Sequence, residues 1–224
     1  MRHRASKWII PALMGLSVTT GLGLSPVTAS ASPLQAGDWL VRIGLSNVNP
    51  NASSSNPRGG LPAGSDVSID SSTRPSFTVG YMLTDNLDVE LLAAWPFKHD
   101  ITGDGALAGA GKIGDTKQLP PTLSVDWHFM PGSRVRPYVG VGVNYTHFFS
   151  ENATGPLAGT TLSLDSSWGP AAQAGFDVDV GANWSFNASV RYIQIKTTAT
   201  YGNGYKLDVD VNPWVYTVGI GTSF

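Results

Sequence analysis

The sequence predicts an all-β fold, an eight-stranded antiparallel up-and-down transmembrane β-barrel. Two observations indicate it. Eight runs of residues alternate between apolar side chains and small or polar ones, and the links between the runs are alternately short and long. Period-two alternation is typical of strands with two different environments. Short turns at one end and long loops at the other are typical of an up-and-down barrel in an outer membrane.

Each run is long enough to cross a bilayer as a tilted strand, which takes about 9–11 residues. Aromatic residues lie near the ends of many runs, as in the aromatic girdles of membrane barrels. An even number of strands places both chain termini on one side, which we expect to be the periplasm. In chain order the runs are residues 39–48, 74–83, 87–97, 121–129, 135–149, 168–178, 183–195 and 214–224.

The links between runs separate this fold from a soluble β-sandwich, which has no reason to alternate short and long connections along the whole chain. Those after the second, fourth and sixth runs are short: residues 84–86, 130–134 and 179–182. The other four are rich in Gly, Ser, Asn and Pro, and we expect loops there. These long links are residues 49–73, 98–120, 150–167 and 196–206.

The last run must pair with the first to close the barrel. By itself it fits an amphipathic strand of a soluble sandwich equally well. Its final Phe224 resembles the signal read by the barrel-assembly machinery. Upstream, Leu207, Val209 and Val211 lie on the opposite parity from the apolar residues of the run. This change predicts a register slip near Asn212, through a β-bulge.

The N-terminal segment has the features of a secretory signal peptide. Arg2, Arg4 and Lys7 precede an apolar stretch at residues 8–24, and a small-residue Ala-Ser-Ala motif follows at residues 29–31. This order of basic, apolar and small residues predicts a signal peptide over residues 1–31 and a single barrel domain over residues 32–224.

Composition excludes several functional classes. Only 13% of the residues are charged, which is low for a soluble surface, and a mean hydropathy near zero excludes several membrane-spanning helices. Without the three signal-peptide cations, 11 basic and 16 acidic residues give a net charge of −5, which argues against nucleic acid as a partner. The acidic residues of the long links lack regular ligand spacing, so we expect no cofactor and no metal site. They are solvated or bridged through cations to lipopolysaccharide.

Charged residues on the inward parity are concentrated in the half of the barrel near the periplasm. Buried charges must pair, so we predict an ion-pair network that blocks the lower lumen. The alternative is an ion pathway. We term this set the charged floor; it consists of Arg42, Asp88, Glu90, Asp126, Arg136 and Asp177.

The inward positions of the upper half are partly apolar and predict a funnel open to the outside. They include Val48, Leu92, Ala94, Ala171 and Val215, among the polar Thr122, Asn144 and Thr146. A hydrophobic solute that enters such a funnel cannot easily cross the charged floor, so lateral exit into the bilayer is the alternative route. Proline lacks the N–H for a ladder hydrogen bond, and the wall is therefore predicted to open near Pro96, Pro170 or Pro213.

Several segments resemble the outer-membrane protein W (OmpW) family in order and spacing. They are residues 36–42 (AGDWLVR), 85–94 (DNLDVELLAA) with Pro96, Phe97 and His99, 119–123 (LPPTL), 136–146 (RPYVGVGVNYT) with Phe148 and Phe149, 165–169 (DSSWG), and 213–216 (PWVY) through Phe224. The resemblance implies an eight-stranded barrel in the outer membrane of a Gram-negative bacterium, associated with passage of small hydrophobic molecules. Relatives assist alkane uptake, and some members are bacteriocin receptors.

The resemblance also suggests roles for individual residues. Leu92 matches an inward leucine of the family and is predicted to form a constriction, although simple lumen packing explains it equally well. Arg191 occupies a position where other members can carry an inward Trp, so a purely apolar constriction is not expected at that level. His99 is placed in a loop and resembles a surface feature of the family.

Two other functional classes compete with transport. Lipid A deacylases place His and Ser on one face of a strand, whereas the spacing of His147 and Ser150 sends them to opposite faces; we therefore expect no enzyme. A structural or receptor barrel, whose loops bind phage, bacteriocin or host surfaces, remains the alternative. The oligomeric state and the solute are not determined by the sequence.

Overall fold

The computed structural model describes residues 33–224, so the predicted signal peptide lies outside the described residues. No helix in this part of the chain has the length and apolar character needed to cross a membrane. Two single-turn 3₁₀ helices, Ala108–Ala110 and Gly155–Leu157, accompany the strands. Over residues 33–224 the strands are β1 (Trp39–Asn49), β2 (Ser53–Arg58), β3 (Ser65–Ile69), β4 (Ser72–Met82), β5 (Leu87–Ala94), β6 (Phe97–Gly105), β7 (Lys112–Leu119), β8 (Thr122–His128), β9 (Val135–Ala153), β10 (Leu162–Leu164), β11 (Ser167–Gly181), β12 (Trp184–Ile193), β13 (Lys196–Tyr201), β14 (Lys206–Asp210) and β15 (Trp214–Ser223).

Eight of these strands form a closed antiparallel barrel in the order β1-β4-β5-β8-β9-β11-β12-β15. The ring closes where β15 pairs with β1, with Ile220 opposite Ile43. Closure leaves the eight-stranded sheet without a free edge, as a bilayer requires. The predicted all-β, eight-stranded up-and-down barrel is confirmed.

The outer face of the barrel is apolar, and its inner face is polar. On β9, Val139, Val141 and Val143 are exposed, whereas Asn144 and Thr146 on the other parity are fully buried. Aromatic pairs mark the two ends of the apolar band. Near the chain termini the rings of Trp39 and Tyr81 lie 5.0 Å apart, and at the opposite end those of Tyr145 and Trp168 lie 4.7 Å apart. This arrangement fits a lipid-facing wall with two girdles.

The prediction that the four long links are loops is wrong. They are mostly strands that extend the barrel wall beyond the apolar band. β3, β6, β7 and the far end of β9 form one side of this extension, and β10, β13, β14 and β2 form the other. Their apolar side chains, such as Ile101, Ile113 and Tyr201, are buried inside. Composition suggested loops because the outward residues here are small and polar, the reverse of the membrane part.

The predicted register slip near Asn212 is wrong. Every second residue from Leu207 to Val215 is buried, so one parity faces the interior on both sides of the break. Strand pairing pauses at residues 211–213, where Asn212 has a φ of 36°. What changes is the environment of the two strand faces. The inward side chains of β14 are apolar and its outer face meets water, whereas the outer face of β15 meets lipid.

The closing seam between β1 and β15 depends on two facing glycines. A Cβ added to Gly44 would lie 2.2 Å from the carbonyl oxygen of Val218, and one added to Gly219 would lie 2.3 Å from that of Ile43. Replacing Gly44 with alanine is therefore expected to destabilise the barrel by about 1–3 kcal/mol, as overpacking usually does. Urea unfolding in detergent micelles measures the change. Gly132→Ala is the control, because no atom lies closer than 4.0 Å to its Cβ position; equal stability of both variants would contradict the prediction.

Candidate functional site: an apolar cavity above a sealed lumen

The strand extension encloses a cavity of about 310 Å³, within the range of small-molecule sites. Its walls are mainly aliphatic, with Ile69, Ile101, Ile113, Leu207 and Val209 among the lining residues. Within the described part of the chain, no Asp, Glu, Lys or Arg lines it. Such a chamber favours apolar molecules because burying their surface releases about 25 cal/mol per Å².

The cavity residues come from segments interpreted as loops, so sequence reasoning missed most of them. The alternation of Leu207, Val209 and Val211 is a signal of an interior strand face and not of the predicted register slip. His99 was also misplaced: it lies on β6 and is 2% exposed rather than on the surface. Its ring lines the cavity together with Gln118.

The predicted funnel positions lie beneath this cavity and do not line it. Val48 and Val215 face each other across β1 and β15 and pack with Phe97, Ile193 and Ile195 in one buried cluster. We term these five residues the apolar layer. The open space therefore lies above the membrane part of the barrel, and the apolar layer separates it from the lumen.

The six residues of the charged floor all point inward and are at most 7% exposed. The Arg42 guanidinium contacts both Glu90, with Nη1 to Oε2 at 2.8 Å, and Asp177, with Nη2 to Oδ2 at 2.7 Å. The Asp126 carboxylate accepts hydrogen bonds from the Gln173 amide at 2.7 and 2.6 Å. The structure thus brings four of the six into one hydrogen-bonded group, with Gln173 as an additional member.

The other two members of the charged floor lie closer to the end of the barrel that carries the chain termini. Nη1 of Arg136 is 3.6 Å from Oδ2 of Asp179. Oδ1 of Asp88 is 3.6 Å from Nε2 of His128, and both side chains are fully buried. Within residues 33–224, neither Asp88 nor His128 makes a side-chain hydrogen bond, and no group of His, Cys, Asp and Glu has a metal-binding arrangement.

The two predicted constriction residues have different surroundings. Leu92 is 5% exposed and lines a void of only about 20 Å³ against the charged floor, which has room for about one water molecule. Arg191 belongs to the ion-pair group: its Nη2 lies 2.8 Å from Oε1 of Glu90, and it also donates to Gln173. The lumen at this level is filled.

The end of the lumen near the chain termini is covered as well. Leu34, which precedes β1, is buried against Leu40 and Met82. Its backbone N–H donates to the carbonyl of Pro131 at 3.0 Å. Together with the charged floor and the apolar layer, this contact leaves no open passage along the axis of the described barrel.

The barrel wall has a lapse in its hydrogen-bond ladder at the base of the cavity. Pairing of β5 with β8 ends at Leu92 and Thr122, and pairing of β6 with β7 resumes at Phe97 and Gln118. Residues 93–96 and 119–121 lie between, unpaired with each other. On the outside, a groove of about 550 Å³ lined by Ala93, Ala94, Leu119, Pro120, Pro121, Tyr145 and His147 covers this lapse.

Of the three prolines predicted to mark an opening, Pro96 lies in the lapse. Pro170 sits in a continuous stretch of wall, since it pairs with Val143 and its carbonyl accepts the N–H of Gln194 at 3.0 Å. The carbonyl of Pro213 accepts the N–H of Ile193 at 3.2 Å. The backbone is therefore bonded across the wall at Pro170 and Pro213.

A buried amide on β9 holds one edge of the lapse from inside. The Asn144 side chain donates to the carbonyls of Pro120 and Pro121, both at 3.1 Å, and to Oγ1 of Thr122 at 3.0 Å. Thr146 in turn donates to Oδ1 of Asn144 at 2.7 Å. These bonds are neutral, and the two N–H groups of the amide are shared among three acceptors, so the bonds from this amide together contribute about 1–2 kcal/mol.

A closed barrel with lipid-facing girdles and a polar, filled lumen defines this chain as an outer-membrane β-barrel protein. The profile of the OmpW family matches residues 35–224, and the chain belongs to that family. Outer membrane protein W of Vibrio cholerae serotype O1 is 46% identical over 220 residues, which cover 95% of this chain and 98% of that protein.

Two further comparisons extend the relationship. The crystal structure of the outer membrane protein OprG from Pseudomonas aeruginosa is 40% identical and superposes with a TM-score of 0.80, covering 86% of this chain and 98% of that one. The dibenzothiophene metabolism operon protein PahQ of Pseudomonas aeruginosa is 31% identical over 208 residues, covering 89% of this chain and 92% of that protein.

Proposed function

We propose that this barrel assists the passage of small hydrophobic molecules, which enter the apolar cavity from outside the cell and leave sideways into the bilayer. The observation that carries the proposal is the position of the cavity. It lies above a sealed lumen and beside a lapse in the barrel wall.

Passage along the barrel axis is disfavoured by the charged floor. A solute moving that way would have to separate Arg42 from Glu90 and Asp177. Breaking a buried ion pair leaves an uncompensated charge and costs about 3–5 kcal/mol. An apolar solute offers nothing to replace those contacts.

Passage through the wall requires much smaller changes. Gln118 lines the cavity, whereas the adjacent Leu119 lines the outer groove, so only one strand separates the two spaces. The Asn144 brace, which ties one edge of the lapse to β9, consists of neutral hydrogen bonds. The relationship to PahQ, named for a dibenzothiophene metabolism operon, supports an apolar solute.

The same proposal includes the orientation and partners of the barrel. We place both chain termini in the periplasm, where Trp39 and Phe224 exchange backbone hydrogen bonds at 2.8 and 3.1 Å, and the strand extension outside. The exposed Phe224 would be accessible to the barrel-assembly machinery. The charged outer surface of the extension, including the pair of Lys112 and Asp100, would face lipopolysaccharide.

Uptake of n-octane by Gram-negative cells with and without this protein tests the function. We expect faster uptake with the protein than without it, and loss of this gain on Leu92→Arg, which places a charge beside Ala93 at the edge of the lapse. Equal uptake with and without the protein would overturn the proposal and favour the receptor alternative.

Removing the brace tests the lateral route. Asn144→Ala removes the side-chain bonds from β9 to the carbonyls of Pro120 and Pro121, which keep only the bonds from the Thr122 hydroxyl and the Tyr145 N–H. We expect this edge of the lapse to loosen and n-octane uptake to increase. Asn47→Ala is the matched control, because Asn47 also bridges two strands, donating to Thr73 at 2.9 Å, but it lies at the β1–β4 pair. An equal effect of both substitutions would contradict a specific role for the lapse.

A further inference from the structure

A buried polar patch interrupts the mainly aliphatic wall of the cavity. His99 and Thr116 are paired across β6 and β7, and Gln118 is the partner of Phe97 on the same strands. All three side chains line the cavity, and each is at most 4% exposed. Buried polar groups in an apolar wall cost free energy unless they are bonded, so their bonds indicate what the patch can still accept.

The hydrogen bonds of His99 determine the orientation of Gln118. Nδ1 of His99 lies 2.7 Å from the backbone oxygen of Asp70, which can only accept, so Nδ1 carries the proton. Burial lowers the pKa of His99, which keeps the ring neutral and makes Nε2 an acceptor. Nε2 accordingly accepts one N–H of the Gln118 amide at 3.1 Å.

This leaves Gln118 with unused hydrogen-bonding capacity towards the cavity. An amide has two donors and one acceptor oxygen. Within residues 33–224, its bond to His99 is the single side-chain hydrogen bond that Gln118 makes. One N–H and Oε1 therefore remain for a guest, and together they match a group that both donates and accepts, such as a hydroxyl.

The charge and the size of the cavity further restrict which molecules can bind in it. Since no ionised side chain lines the cavity within the described residues, a carboxylate or ammonium group would be buried without a counter-charge, which is strongly unfavourable. At roughly 30 Å³ per heavy atom, as for liquid water, the 310 Å³ of the cavity hold on the order of ten heavy atoms.

We propose that the cavity selects neutral amphiphiles, with Gln118 binding the hydroxyl end group of a medium-chain alcohol and the aliphatic walls binding its chain. The inference rests on the proposed uptake function and specifies its substrate class. Gln118 lies two residues before Pro120, so the end group would be held at the base of the cavity, beside the lapse in the wall.

Binding to the full chain in lipid nanodiscs tests the proposal, with octan-1-ol, n-octane, 1-methoxyheptane and octanoate as probes. After subtraction of partitioning into protein-free nanodiscs, we expect octan-1-ol to bind roughly three- to tenfold more tightly than n-octane, as about one additional hydrogen bond gives. The ether, which only accepts, is expected to fall between them, and octanoate to bind most weakly.

Gln118→Leu keeps the approximate size of the side chain and removes its polar atoms. We expect this variant to bind n-octane as before and to lose the preference for octan-1-ol. Gln194→Leu is the matched control, since Gln194 is half-buried outside the cavity and its replacement is expected to leave the preference unchanged.

Three results would overturn the inference: equal binding of alcohol and alkane by the wild type, a preference that survives Gln118→Leu, or tighter binding of octanoate than of octan-1-ol. The comparison of probes on the wild type stands even if the variant does not fold. Failure of the uptake proposal would show separately, as n-octane uptake by cells that does not depend on the protein.

Discussion

Replacing Arg42 with methionine is expected to destabilise the barrel by about 3–5 kcal/mol, the usual cost of removing one partner of a buried ion pair. The Arg42 guanidinium is the shared partner of Glu90 and Asp177, with both contacts below 3 Å. Without it, two carboxylates remain in the lumen with one cation fewer. Unfolding by urea in detergent micelles, followed by tryptophan fluorescence, measures the loss.

The chain supplies a matched control for this substitution. Arg58 pairs with Asp208 at 2.5 Å, but its side chain is 50% exposed on the strand extension. Surface pairs contribute about 0–1 kcal/mol, so Arg58→Met is expected to have little effect. If the two variants unfold at the same urea concentration, the charged floor does not stabilise the barrel in the way described.

Filling the cavity is expected to abolish the proposed uptake. Ala199 on β13 is buried, lines the cavity and faces Leu207 across the β13–β14 pair. An indole at this position would occupy much of the 310 Å³, so we expect uptake of n-octane by Ala199→Trp cells to fall to that of cells without the protein.

The neighbouring Thr200 provides the control for this experiment. Its side chain is on the opposite parity, outside the cavity, so Thr200→Trp adds the same bulk to the same strand and is expected to leave uptake unchanged. Correct folding of both variants is checked by the heat-dependent shift in electrophoretic mobility. Undiminished uptake in Ala199→Trp cells would show that solutes do not use this cavity.

The barrel could be predicted from the sequence because period-two alternation is a local signal and needs no knowledge of partners. Parity placed Arg42, Glu90 and Asp177 in the lumen without further information. Parity does not determine the relative height of residues on different strands, which depends on the stagger of the barrel. For that reason Gln173 and Arg191 could not be assigned to the same hydrogen-bonded group in advance.

The cavity was not predicted because the meaning of an apolar parity reverses along the chain. In β15 the exposed apolar residues, such as Tyr216 and Ile220, face lipid, whereas in β14 Leu207 and Val209 face the interior. A sequence pattern shows the alternation but not whether the apolar face of a strand meets lipid or the interior. The same ambiguity explains why His99 was assigned to a surface loop.

The three prolines show a similar limit of prediction from sequence, because a proline alone does not indicate where the wall is open. Each lacks an N–H, but Pro170 and Pro213 use their carbonyls to continue the wall. The lapse at Pro96 exists because Pro120 and Pro121 lie across from it on the connection between β7 and β8. This coincidence between two strands distant in sequence is visible only once the strand register is known.

Reversible closure of the lapse tests lateral exit most directly. The chain has no cysteine, so Ala93→Cys with Leu119→Cys, both in the outer groove, can be linked selectively by a bismaleimide with a cleavable disulfide spacer. The control pair is Ala174→Cys with Val190→Cys, which are register partners in the continuous β11–β12 ladder. We predict that linking the first pair stops n-octane uptake, that reduction restores it, and that linking the control pair has no effect. Undiminished uptake with the first pair fully linked would contradict lateral exit through this part of the wall.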